Sequence, residues 1–219
     1  MKYNFFNHQK ATLTVMVQAD NPTRIKELMD KSLPAGAEAF GIQFEQMLPE
    51  YRKPEVYRDL LGYAEGRPSY VTNYRGRQNG EKSDEELGNE LVELAECGAE
   101  LCDVMGDYFD RQPDEMAVDE TAINKQIKLI NRIHEKGAKV LMSSHILKYT
   151  PAERVLEIAL EHQRRGADIS KIVVGAENRE QEIENLKTIN LLKEKLDIPF
   201  LFLSSGECRI LRRIGGEIG

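Results

Sequence analysis

Two side chains in this chain have the type and setting for chemistry on a carbonyl group. Lys171 lies inside the β-branched run Ile169-Ser170-Lys171-Ile172-Val173-Val174, and His145 closes the run Lys139-Val140-Leu141-Met142-Ser143-Ser144-His145. Burying an ammonium in an apolar strand costs on the order of several kcal/mol unless it is paired or neutralised. Burial disfavours the charged form, so a lysine in such a setting can offer a free amine at neutral pH. A free amine attacks ketones and forms an imine. Histidine takes and gives protons near pH 7 with little penalty. In combination, the imine acidifies a neighbouring C–H, and the histidine removes that proton and then protonates a leaving hydroxyl. Each residue also has a plainer reading. Lys171 could be ion-paired inside a sheet, and His145 could be a hydrogen-bonding loop residue. The joint pattern is stronger than either residue alone.

The elements around the pair must bring them together. Thr150-Pro151-Ala152-Glu153 reads as a helix start, with Thr150 as cap, Pro151 in the first turn and Glu153 completing a capping box. Arg165-Gly166-Ala167 stops that helix. The result is a strand–helix–strand unit of the parallel kind, which sets the two strand ends side by side.

The same grammar recurs along the chain. Gly36-Ala37-Glu38, Gly98-Ala99-Glu100, Gly137-Ala138-Lys139 and Gly166-Ala167-Asp168 each follow a helical pattern and precede an apolar run. A glycine just past a helix can take the left-handed conformation that satisfies the last carbonyls. Helix stop followed at once by strand is the signature of a βα repeat. Strands are predicted at 12–18, 38–45, 69–74, 101–105, 139–145, 169–174 and 199–203. Helices are predicted to open at Asn21-Pro22, Pro54, the Ser83-Asp84-Glu85-Glu86 capping box, Asp119, Thr150, Asn178 and Arg209. Seven βα units with no break in composition imply one domain over residues 1–219. The fold class expected is α/β, a TIM (β/α)8-type barrel whose eighth unit is absent from this chain. That unit would come from residues beyond Gly219, or another chain would cover the gap. An open doubly wound sheet is the alternative.

Composition narrows the partners. The chain has 219 residues, 31% charged and 41% hydrophobic, with a formal net charge of −7. That balance disfavours nucleic acid and anionic membranes, which need basic surface. A small anionic substrate held by a few arginines remains compatible. No apolar run approaches the ~20 residues needed to cross a bilayer, and the N-terminus lacks the pattern of a signal peptide. Cys97, Cys102 and Cys208 are too few and irregular for a disulfide framework, so reduced thiols and a cytoplasmic location are expected, with no metal site. His134 and His162 read as surface or flank residues of helices, and His8 belongs to the N-terminal arm. Ser204-Ser205-Gly206 reads either as an anion-binding strand end or as a turn before the last helix.

Met142-Ser143-Ser144-His145, with the following Lys148-Tyr149-Thr150-Pro151, resembles the histidine motif of the type I 3-dehydroquinate dehydratases. Ala167-Asp168-Ile169-Ser170-Lys171-Ile172 is similar to that family's Schiff-base lysine strand. Arg213-Ile214-Gly215-Gly216-Glu217 looks like the segment carrying its substrate-carboxylate arginine, and Val71-Thr72 through Asn79-Gly80-Glu81 resembles its third strand and following loop. The resemblance implies a TIM barrel and dehydration of 3-dehydroquinate to 3-dehydroshikimate in the shikimate pathway, without metal or cofactor. It makes Lys171 the nucleophile and His145 the acid/base. It makes Arg213, Gln43, Arg75, Met105 and Ser143 substrate-side positions, with a homodimer as the expected assembly. The chain also departs from the pattern. The family's second-strand glutamate and arginine fall on Gly41 and Gln43. Its third-strand arginine is Arg75 after a one-residue shift and Tyr74 without one. Its fourth-strand glutamate, which assists the histidine, falls on Met105, with Asp107 as a substitute two residues on. Two other functions stay open: the same imine chemistry on a different keto acid, and a degenerate homologue that binds without catalysis.

Overall fold

Strand and helix alternate seven times. The computed structural model describes residues 3–6, 11–64, 66–206 and 210–218; His8, Cys208 and Arg209 lie outside them. The strands are β1 (Thr14–Val17), β2 (Ala39–Gln43), β3 (Ser69–Thr72), β4 (Leu101–Met105), β5 (Lys139–His145), β6 (Ile169–Ala176) and β7 (Phe200–Gly206). The helices are α1 (Pro22–Ser32), α2 (Pro54–Gly62), α3 (Asp84–Glu96), α4 (Glu120–Glu135), α5 (Ala152–Arg164), α6 (Arg179–Lys195) and α7 (Ile210–Ile218). The strands form one sheet in sequential order. A helix after each strand and an unshuffled parallel order are those of the (β/α)-barrel class. A doubly wound sheet reverses its order at a switch point, and this one does not.

Two compact units are distinguished: Met1–Asp103 with Asn131–Lys139, and Val104–Ile130 with Val140–Gly219. In the first, β1, β2 and β3 pair in parallel, with Met16 opposite Gly41 and Gly41 opposite Tyr70. A Cβ on Gly41 would lie 2.1 Å from Met16 Sδ and 2.9 Å from Tyr70 Cδ1, so these three residues crowd one face and a larger residue there requires Met16 to move. By alternation Phe40 and Ile42 point the other way. Both are buried, as are Ile25 and Met29 of α1, Tyr57 and Leu60 of α2, and Leu87, Leu91 and Leu94 of α3. Phe44 and Tyr57 meet edge to face at 5.1 Å. Strand β2 stops at Gln43, and the chain turns through a 3-10 segment, Phe44–Gln46. That is two residues short of the expected strand end.

In the second unit, β6 is buried along its whole length. Ile172, Val174 and Phe202 pack with Val155, Ile158 and Ala159 of α5, Ile189 and Leu192 of α6, and Leu211 of α7. This is the helix-facing side of β6. The opposite side carries Lys171 and Val173.

Most of the expected helix punctuation is present. Asn21 Oδ1 accepts from Arg24 N at 2.9 Å, and Ser83 with Glu86 forms a complete capping box. Gly36, Gly98, Gly137 and Gly166 all take positive φ, between 89° and 110°. The start of α5 differs. Pro151 is its N-cap and no side chain caps it, because the Thr150 hydroxyl donates to Lys148 O instead. The capping box expected of Thr150 and Glu153 is absent.

Candidate active site

Strand register decides where the candidate nucleophile and base lie. Ser143 sits opposite Lys171, and His145 opposite Val173. Aligned residues of neighbouring strands share a face, so Ser143, His145 and Lys171 are on one side of β5 and β6, away from α5, α6 and α7. Lys171 and His145 are diagonal neighbours, with Cα atoms ~8 Å apart for a strand spacing of ~4.8 Å and a rise of ~3.3 Å per residue. Lys171 is 9% exposed, and Ser143 is fully buried. A long amine and an imidazole two residues apart in register, on one face, can reach a common small molecule.

A carboxylate holds the imidazole. Glu115 Oε2 accepts the His145 backbone N–H at 2.6 Å and lies 3.0 Å from ring Nδ1. With Nδ1–H donated to a carboxylate, the basic lone pair falls on Nε2. Glu115 comes from the loop between β4 and α4, not from a strand. Its φ of +49° is in the left-handed region. This corrects the expectation for the fourth strand. Met105 is buried at the end of β4, and the Asp107 carboxylate instead accepts Gln112 N at 3.3 Å. The histidine therefore has its carboxylate partner after all.

The substrate-side positions have mixed surroundings. Gln43 ends β2, and its Oε1 is buried without a hydrogen-bond partner among the described residues. A buried, unpaired carbonyl oxygen is costly and is suited to accept from a hydroxyl donor. Arg75 forms a two-point pair with Asp84, with Nε to Oδ1 and Nη2 to Oδ2 both at 2.7 Å. Arg213 is exposed on α7, while the neighbouring Arg212 donates to Ser204 O at 3.1 Å. Cys97 and Cys102 are buried thiols, and burial pushes both up from their ordinary range.

The first unit adds carboxylates that the sequence did not single out. Glu45 is 2% exposed; its Oε2 accepts Thr72 Oγ1 at 2.8 Å and Tyr74 N at 3.4 Å. Burial pushes its carboxyl up, and nearby Asp103 adds to the rise while those hydrogen bonds oppose it. Asp103 Oδ2 accepts short hydrogen bonds from the hydroxyls of Tyr70 and Tyr74. Burial, then the Asp103 charge, lifts the Tyr70 phenol well above its usual range.

His162 is not a surface residue. It is fully buried, completing the stripe Val155, Ile158, Ala159 and His162 on α5. That i, i+3, i+4, i+7 spacing was readable from the sequence and should have placed it inside. Glu115 left no such sign. The nearest hint was the length of the β4–α4 connection, since long loops in compact domains tend to carry function.

A profile of the type I 3-dehydroquinase family matches residues 15–219. The chain belongs to the type I 3-dehydroquinase family. Curated relatives agree over shorter stretches. The 3-dehydroquinate dehydratase of Alkaliphilus oremlandii is 38% identical over 92 residues, covering 41% of this chain and 36% of the relative. That of Syntrophotalea carbinolica is 34% identical over 93 residues, covering 42% of this chain and 37% of the relative. The matched stretch thus spans little more than a third of these curated relatives. The fold is shared more widely. A type I 3-dehydroquinate dehydratase from Clostridium difficile superposes with a TM-score of 0.76 at 21% identity, over 95% of this chain and 80% of that one. One from Geobacillus kaustophilus gives 0.79 at 16% identity, over 94% and 78%. Among the described residues no helix is long and apolar enough to cross a membrane.

Proposed function

We propose that this protein dehydrates 3-dehydroquinate to 3-dehydroshikimate through an imine on Lys171, with His145 as acid and base. The observation that carries the reading is the placement of Lys171 and His145 as diagonal neighbours on the non-helical face of β5 and β6, with Glu115 on Nδ1 of the imidazole. The Lys171 amine adds to the ketone, and loss of water gives an iminium. That cation acidifies the adjacent C–H, and His145 Nε2 takes the proton. The resulting enamine expels the hydroxyl group, which receives the same proton and leaves as water. Hydrolysis of the iminium then frees the product and restores the amine, so the reaction consumes no cofactor. Glu115 stabilises the imidazolium formed midway and keeps the ring turned. The family resemblance makes Gln43 a further substrate-side candidate, Ser143 lies on the same strand face as Lys171, and Met105 is buried at the end of β4. Arg75 and Arg213 are the candidate carboxylate partners, Arg75 only on exchanging its bond with Asp84.

Borohydride treatment with 3-dehydroquinate tests the reading. The expected result is a covalent mass increase on Lys171 that disappears in Lys171→Ala. A Lys171→Ala protein that turns over normally would end the proposal.

A second reading keeps the imine and changes the keto acid. Gly41 supports it, because Met16 and Tyr70 crowd the position where the family carries a glutamate. Trapping by another keto acid, without trapping by dehydroquinate, would favour this reading.

A further inference from the structure

We propose that His162, buried behind the sheet, is a positioning residue. Acting through Ser144, it holds the Glu115 backbone so that the Glu115 carboxylate meets His145. The inference rests on the reading of His145 as the acid/base.

The connection is continuous in hydrogen bonds. His162 Nδ1 lies 2.9 Å from Ser170 Oγ, and Nε2 lies 3.1 Å from Ser144 Oγ. Ser144 Oγ donates to Glu115 O at 2.8 Å. A carbonyl can only accept, so the single Ser144 hydroxyl proton points at Glu115. His162 Nε2 must therefore carry a proton and donate it to Ser144, while Nδ1 is held by its bond with Ser170. Ser144 and Ser170 alternate with Ser143 and Lys171 along their strands, so the network lies on the helix side while the candidate chemistry lies on the other.

The strain is at Glu115. A non-glycine residue at positive φ is disfavoured and persists only when its surroundings impose it. Here the surroundings are specific. Arg165, one turn beyond His162, donates through Nη1 to Gly106 O at 3.2 Å and through Nη2 to Ala117 O at 2.8 Å. Ala117 N in turn donates to Gly106 O at 2.9 Å, closing the loop at its base. Gly106 completes the packing. A Cβ there would lie 2.5 Å from Glu115 O, 2.8 Å from Ser144 Oγ and 3.2 Å from His162 Nε2. Helix α5 thus grips the loop from behind, and Glu115 leaves the grip with its side chain directed at His145.

The test compares Ser144→Ala, His162→Leu and His162→Gln with the wild type. Three readouts are used: steady-state kinetics, borohydride trapping at Lys171, and nitrogen-15 spectra of the His145 ring. In Ser144→Ala and His162→Leu, kcat is expected to fall about tenfold or more, the range found for residues that orient catalytic ligands. KM should stay within about twofold and trapping should persist, since imine formation is upstream of the proton transfer. The His145 spectrum should lose its preference for the Nδ1–H tautomer. His162→Gln, whose amide can still donate to Ser144, should recover much of both kcat and the tautomer preference. An unchanged His145 spectrum in Ser144→Ala overturns the inference, even if kcat falls, because the loss would then be merely structural. If His162→Leu fails to fold, Ser144→Ala and His162→Gln decide the question. If the wild type is not trapped by dehydroquinate, the functional reading fails, and the His145 spectra still decide whether the network orients the ring.

Discussion

Glu115 Oε2 bonds His145 twice, at the backbone N–H and at ring Nδ1, across thirty positions of sequence. One carboxylate oxygen thereby fixes both the end of β5 and the tilt of the imidazole. Removing the charge while keeping the shape isolates this effect. Glu115→Gln is expected to lower kcat by about 10- to 100-fold with little change in KM, as for other residues that orient a catalytic histidine. Asp107→Asn is expected to cost far less. Steady-state kinetics of the two variants side by side check which acid serves the histidine.

His145 itself separates imine formation from proton transfer. His145→Ala should slow turnover by about 10²- to 10⁴-fold, the usual contribution of a positioned acid/base. Lys171 should still be trapped by borohydride with 3-dehydroquinate, read by intact mass. Loss of trapping together with turnover would mean that the imidazole serves the addition step as well.

Glu45 makes stability depend on pH. Burial raises its folded-state value above the ordinary 4.5. Protons then bind the folded form more tightly than the unfolded one, so the benefit is complete below the ordinary value. It is lost as pH rises through the raised one. Glu45→Gln can still accept from Thr72 and Tyr74 without the burial penalty on a charge. Its urea midpoint is expected to exceed that of the wild type at neutral pH and to approach it under acid conditions. A midpoint difference independent of pH would refute this.

The crowding at Gly41 predicts a coupled pair. Gly41→Ala forces its new methyl onto Met16 and Tyr70, and overpacking of this kind costs about 1–3 kcal/mol. Met16 is a flexible side chain, whereas the Tyr70 hydroxyl is tied to Asp103. Met16→Ala should therefore relieve most of the cost when combined with Gly41→Ala. Denaturation of the two single variants and the double variant gives the interaction directly.

The sequence by itself determined what depends on local periodicity and local backbone freedom. The four glycines that close helices, the Ser83 capping box and the alternation of seven strands with seven helices follow from local spacing and backbone freedom, whereas the register that sets Lys171 and His145 on one face does not. The burial of His162 was written in the same code, in the apolar stripe of α5. Tertiary structure alone decided the rest. No local pattern marks Glu115 as the partner of His145, because its loop is bonded at Glu115 O by Ser144 and at Ala117 O by Arg165, both far along the chain. The same holds for Arg75, engaged by Asp84, and for the unpaired oxygen of Gln43. Side chains on regular elements point where the repeat sends them. A loop residue points where long-range hydrogen bonds hold its backbone, and those are formed only when the chain has folded.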